Sequence, residues 1–96
     1  MSRYNIYNVC FTRTSKNQFE FLPFKVKKEI TKILEGEIAY NPLLGKPLHG
    51  VLKGLRSQRV GNLRIIYQII KNKLVIMVIN LEHRKKVYQG FKLKKK

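Results

Sequence analysis

"NLRIIYQII", residues 62–70, reads as a β-strand interrupted at one place. Eight of its nine residues suit a buried or half-buried sheet. The ninth, Arg64, sets a permanent cation at the mouth of an apolar run. Strand alternation assigns Arg64, Ile66 and Gln68 to one face and Ile65, Tyr67 and Ile69 to the other. On its N-terminal side "GN" (61–62) supplies a tight turn from a partner strand at 54–60. On its C-terminal side "KNK" (71–73) turns the chain into a strand at 74–80, with Asn72 the residue expected to take positive φ. Both faces of 63–81 are apolar, so more than one layer must cover this hairpin pair.

Working outward, "YNIYNVCFT" (4–12) alternates, with Tyr7, Val9 and Phe11 on one side, and predicts a first strand. Thr14 or Ser15 is placed to cap a short helix running through Phe21. Pro23 ends it and suits the first turn of the next helix. That helix, about 23–39, is the strongest periodic signal. Val26, Ile30, Ile33, Leu34 and Ile38 share a face, while Lys27, Lys28, Glu29, Lys32 and Glu35 cover the other. Gly36 weakens its last turn by about 1 kcal/mol, which predicts fraying there. "YNPLLGKPLHG" (40–50), with two Pro and two Gly, reads as a loop. The expected fold is α+β: two N-terminal helices packed on one face of a four-stranded, mainly antiparallel sheet, the opposite face partly open. It forms one domain, 1–96, with a basic C-terminal tail at about 91–96.

Ninety-six residues leave no room for a second core. Lys and Arg total 21 against 5 acids, a net charge of +16, and Asp is absent. Such an excess repels itself in the folded state and implies a polyanionic partner, unless it serves only as a solubilising surface. The basic residues are scattered and form no long amphipathic helix, which argues against an acidic membrane. "LVIMVI" (74–79) falls far short of the roughly 20 apolar residues of a membrane-spanning helix. The N-terminus lacks the basic-then-apolar shape of a signal peptide, so a cytoplasmic setting is expected. Cys10 is alone, has no disulfide partner, and reads as a small buried residue.

Two clusters carry chemistry. Across the "VGNL" turn, Arg59 and Arg64 approach each other. Paired guanidinium groups repel unless an anion lies between them, and their fork geometry matches phosphate. The alternative is a pair of edge charges reaching water along their stems. The second cluster, "HRKKVY" (83–88), combines an imidazole that titrates near neutrality, cations, and a phenol that neighbouring charge makes competent in proton transfer. An ordinary basic strand end would look the same. His49, in a loop, reads as a surface residue. Of the five glutamates only Glu82 lies near the basic cluster, so a carboxylate-held metal site is not expected and no cofactor is implied. A Ser–His–Asp triad is impossible without Asp. A chain of this make-up that cuts nucleic acid should cut RNA, where the substrate's own 2′-OH attacks and the protein supplies proton transfer and cations.

"GKPLHGVLKGLRSQRVGNLRIIYQI" followed by "HRKKVY", with "YNVCFT" and "LPFKVKKEI" before it, resembles the RelE/ParE toxin superfamily over about residues 4–88. The resemblance implies a toxin of a toxin–antitoxin pair. Its RelE branch cleaves messenger RNA in the ribosomal decoding site without metal; its ParE branch shares the fold and inhibits DNA gyrase. By resemblance to the RelE branch, Arg64 contacts the scissile phosphate and Arg59 accompanies it. Arg84 matches the acid-side group, with His83 as its alternative, and Tyr88 the base-side group. Lys53, Arg56, Lys85 and Lys86 are the expected RNA-binding cations. The implied partners are an acidic antitoxin, the ribosome and messenger RNA. One departure stands out: Leu55 and Ser57 occupy positions where ribosome-dependent members carry lysines.

Overall fold

A computed structural model of the chain describes residues 6–83. The regular elements are β1 (Asn8–Phe11), α1 (Arg13–Glu20), α2 (Phe24–Ile33), β2 (Lys46–Pro47), β3 (Arg56–Val60), β4 (Leu63–Ile70) and β5 (Val75–His83). Among the described residues the strands form a five-stranded sheet in the order β1-β5-β4-β3-β2. β1 runs parallel to β5, and the other neighbours are antiparallel.

The fold is α+β with both helices N-terminal, but the expected four strands become five. The added strand, β2, lies inside the 40–50 stretch read as a loop. It has two residues, one of them Pro, so no alternation could announce it. Only its pairing makes it a strand: Lys46 lies opposite Ser57 and Pro47 opposite Arg56. A short strand with Pro is well suited to a sheet edge, where no neighbour needs the missing N–H.

α1 is capped by Thr12, not by Thr14 or Ser15. The Thr12 hydroxyl accepts the Ser15 N–H at 3.1 Å, a cap worth about 1 kcal/mol. Ser15 instead turns inward, fully buried, and donates its hydroxyl to the Val78 carbonyl at 2.7 Å. Gln18 also docks on β5, donating to Asn80 Oδ1 at 2.9 Å and accepting the Leu81 N–H at 2.6 Å. These bonds coincide with an irregularity in the sheet. Ile66 pairs with Asn80 but Tyr67 with Val78, so Ile79 is an extra residue on β5. A bulge of this kind leaves ladder groups without strand partners, and here Gln18 takes one of them. It also shifts the phase of the strand, so that Ile76, Val78 and Leu81 all join the core.

α2 follows its expected period, and Ile30, Leu34 and Ile38 are buried. Past Ile33 the helix widens into a π turn, Leu34–Ile38, in place of the frayed α-helical end expected to reach 39. The Ala39 N–H donates to the Leu34 carbonyl, five residues back, at 2.8 Å. Gly36 lies in this turn and faces open space, where its backbone freedom lowers the cost of widening. The helix face and the sheet meet in one cluster: Ile30, Leu34 and Ile38 against Leu63, Ile65, Tyr67, Ile76, Val78 and Leu81. Each large side chain buried here contributes about 1.5–3 kcal/mol. Ile66 is also buried but lies outside that cluster, on the other face of β4. Gln68, on the same face as Ile66, is exposed. Cys10, expected to be buried, is half-buried.

The two hairpins differ. Gly61 takes φ 61° while Asn62 stays at negative φ, the pattern of a II′ turn with glycine first. In the second hairpin Ile70 pairs with Val75, leaving a four-residue connection. Lys71–Lys73 form a 3₁₀ turn, and Leu74, not Asn72, takes the left-handed conformation with φ 53°. The longer loop places its left-handed step just before the strand, after the turn residues. No helix among the described residues is long and apolar enough to cross a membrane.

Candidate active site

The β3–β4 hairpin sets the site. Its closing pair is Val60 and Leu63, and the next pair is Arg59 and Arg64, directly opposite each other. Cross-strand partners share a face, with Cβ atoms about 4.5–5.5 Å apart. Like charges directly opposite each other are unfavourable in a sheet. Arg59 is exposed and Arg64 half-buried, so the pair spans the boundary between solvent and sheet. Arg64 Nη1 donates to Ser57 Oγ at 3.1 Å. Across the other ladder Arg64 lies opposite Glu82, and His83 lies opposite Leu63. By backbone register, Arg59, Arg64 and Glu82 are successive partners across three strands.

Arg56 is not one of these partners. It pairs with Tyr67, on the face that packs under the helices. Its Nε donates to the Gly45 carbonyl at 2.8 Å and its Nη2 to the Leu43 carbonyl at 3.3 Å. Tyr67 completes a clamp on the same loop: its hydroxyl accepts the Gly45 N–H at 2.9 Å and donates to the Pro42 carbonyl at 2.7 Å. Burial raises the Tyr67 phenol above its ordinary value, against the opposing pull of the Gly45 N–H and the Arg56 guanidinium. The folded state thus holds this proton more tightly than the unfolded chain. The resulting stability is full below the unfolded tyrosine value of about 10 and is lost as pH rises through the raised one.

The clamp needs glycine at 45. A Cβ there would lie 2.7 Å from Tyr67 Oη and 2.8 Å from the Ser57 carbonyl oxygen. Gly45→Ala is expected to cost about 3 kcal/mol, through overpacking and strained buried hydrogen bonds. For a chain of this size that is roughly 12–24 °C in Tm. Thermal denaturation followed by circular dichroism checks it, and a wild-type Tm would mean that the loop moves aside freely.

Lys53 is exposed and just precedes β3. His49 is exposed. His83 ends β5. Arg84, Lys85, Lys86, Tyr88 and the 91–96 tail lie outside the described residues. Sequence reasoning missed the part played by Ser57. It registered this position only as a missing lysine, although alternation already set residues 57 and 59 on one face. The hydrogen bond to Arg64 runs diagonally, since Ser57 pairs with Ile66, and a diagonal contact has no signature in either strand alone.

Comparisons with known proteins agree with this fold. A family model described as the ParE toxin of type II toxin–antitoxin systems, parDE, matches residues 11–88. The toxin RelG of Mycobacterium tuberculosis is 30% identical over 84 residues, covering 86% of this chain and 97% of its own length. The toxin RelE of the same organism is 32% identical over 90 residues, covering 93% of each. The crystal structure of the toxin–antitoxin complex RelBE2 from that organism matches with a TM-score of 0.76 at 30% identity, over 82% of this chain and 92% of the other. The chain belongs to the ParE toxin family, within the RelE/ParE superfamily, and is a toxin of a type II toxin–antitoxin system.

Proposed function

We propose that this toxin is a metal-independent endoribonuclease that cleaves messenger RNA in the ribosomal decoding site. The observation that carries the reading is the cross-strand pair Arg59 and Arg64 on the non-helical face of β3–β4. A rigid hairpin that sets two arginines directly opposite each other on one face is suited to a phosphate with charge developing on its oxygens. In the proposed step the substrate 2′-oxygen attacks the adjacent phosphorus while its proton passes to Tyr88. The bond from phosphorus to the 5′-oxygen breaks, and that oxygen takes a proton from the acid side, His83 or Arg84. The products are a 2′,3′-cyclic phosphate and a 5′-hydroxyl. Lys53, Lys85 and Lys86 attract the message and the ribosomal RNA around it, and Arg56 acts at this surface only through the loop it holds.

The antitoxin partner follows from charge. A net charge of +16 favours fast, salt-sensitive association with an acidic protein. The RelBE2 structure, in which a related toxin is held in a toxin–antitoxin complex, supports the same reading.

The test is cleavage of a defined message on programmed ribosomes, mapped by primer extension. Cleavage is expected with EDTA present and is expected to vanish when the nucleotide at the cut carries a 2′-deoxy sugar. A second reading, inhibition of DNA gyrase by protein binding, is favoured by the ParE description of the matching family model. Loss of gyrase supercoiling with no cut message would establish the second and remove the first.

A further inference from the structure

We propose that Ser57 is the positioning residue of the site, and that its hydroxyl aims the Arg64 guanidinium at the anion. The inference rests on the reading of Arg64 as the phosphate-binding group. Ser57 is the second residue of β3 and is 6% exposed. A buried hydroxyl costs free energy unless it is hydrogen-bonded, and an apolar β-branched residue would suit this strand position better. The serine is matched by one specific partner, the Arg64 Nη1 donor at 3.1 Å.

The chemistry of the guanidinium makes that one bond consequential. Arginine swings on a long, flexible stem, but its N–H donors lie in one rigid plane. Holding one terminal nitrogen therefore restricts the directions open to the others. A hydrogen bond to a charged group is also the stronger kind, so the constraint persists against thermal motion.

Ser57 is itself held from behind. Its residue pairs with Lys46 of β2. The glycine next to Lys46 lies so close that its Cβ would meet the Ser57 carbonyl oxygen at 2.8 Å. The Arg56 and Tyr67 bonds lock that same glycine to the sheet. A supporting chain therefore runs from the clamped loop through β2 and Ser57 to Arg64. This gives the short edge strand a part in the site and not only in the fold.

The experiment compares Ser57→Ala and Ser57→Thr with the wild-type toxin in single-turnover cleavage on programmed ribosomes. Ribosome affinity and Tm are measured alongside. Ser57→Ala is expected to slow cleavage by about tenfold to a hundredfold with ribosome affinity and Tm near wild type. Ser57→Thr keeps the hydroxyl and is expected to restore most of the rate. A wild-type rate in Ser57→Ala, or an equal loss in both variants, would overturn the proposal in favour of simple packing. The Arg64 guanidinium ¹⁵N signals give a readout independent of activity. Slower rotation of the terminal nitrogens in wild type than in Ser57→Ala is the expected result, and identical spectra overturn the proposal. If the wild-type toxin cuts no message at all, the reading of its function fails by itself, and these spectra still decide whether Ser57 holds Arg64.

Discussion

Arg64→Ala is expected to slow single-turnover message cleavage by about 10²–10³, the usual cost of losing one donor to developing transition-state charge. The fold should survive, because the Arg64 side chain lies on the face away from the core cluster and contributes none of its apolar contacts. Ribosome binding should also change little, since in the proposed function many other cations share that task. Arg64→Lys should recover only part of the rate. An ammonium is a point charge and does not reproduce a planar fork held by Ser57 and presented to phosphate oxygens. Rates on programmed ribosomes, with circular dichroism and ribosome co-sedimentation as controls, measure all three statements. A wild-type rate for Arg64→Ala would remove the arginine pair from the mechanism and shift attention to His83 and Arg84.

Tyr88→Phe is expected to lower the same rate by about 10²–10⁴, the range for removing a proton-transfer group. The substitution keeps the ring and deletes only the hydroxyl, so a loss of rate with an unchanged Tm isolates the proton-transfer role. The two variants also separate in a combined mutant. In the proposed mechanism Arg64 stabilises charge and Tyr88 moves a proton in one transition state. Groups acting in one step give non-additive losses, so the double variant should fall by less than the product of the single losses. Full multiplication would mean that the two residues contribute independently to the barrier. An unchanged rate for Tyr88→Phe would assign proton transfer elsewhere in "HRKKVY".

The central hairpin was legible because its information is local. The period of two in "NLRIIYQII" requires no knowledge of the rest of the chain, and it assigned Arg64 and Tyr67 to opposite faces. The period near 3.6 in α2 likewise placed Ile30, Leu34 and Ile38 inward. The "GN" turn then fixed Arg59 opposite Arg64, because a two-residue loop leaves a single register. The arginine pair followed from sequence by that route. Arg56 illustrates where residue type alone runs out. It is as basic as Arg59 and three residues away, yet an odd offset in a strand turns it to the other face. There the carbonyls of Leu43 and Gly45 accept it.

What the amino-acid sequence determined by itself was whatever depends on neighbours along the chain: the helix and strand periods, the first tight turn, the excess of positive charge and the absence of Asp. The tertiary structure decided what depends on pairing between distant segments. β2 exists only because Lys46 meets Ser57, and β1 finds its place only as a parallel neighbour of β5. The extra residue at Ile79 appears only when β5 is laid against β4, and it brings Glu82 opposite Arg64. Ser15 looked like a cap until β5 offered its carbonyl. Ser57 looked like a missing lysine until the neighbouring strand brought Arg64 within hydrogen-bond reach. A hydrogen bond between strands is chosen by register, and register is set by the side chains of both partners and by the packing that holds them, which no single stretch of sequence contains.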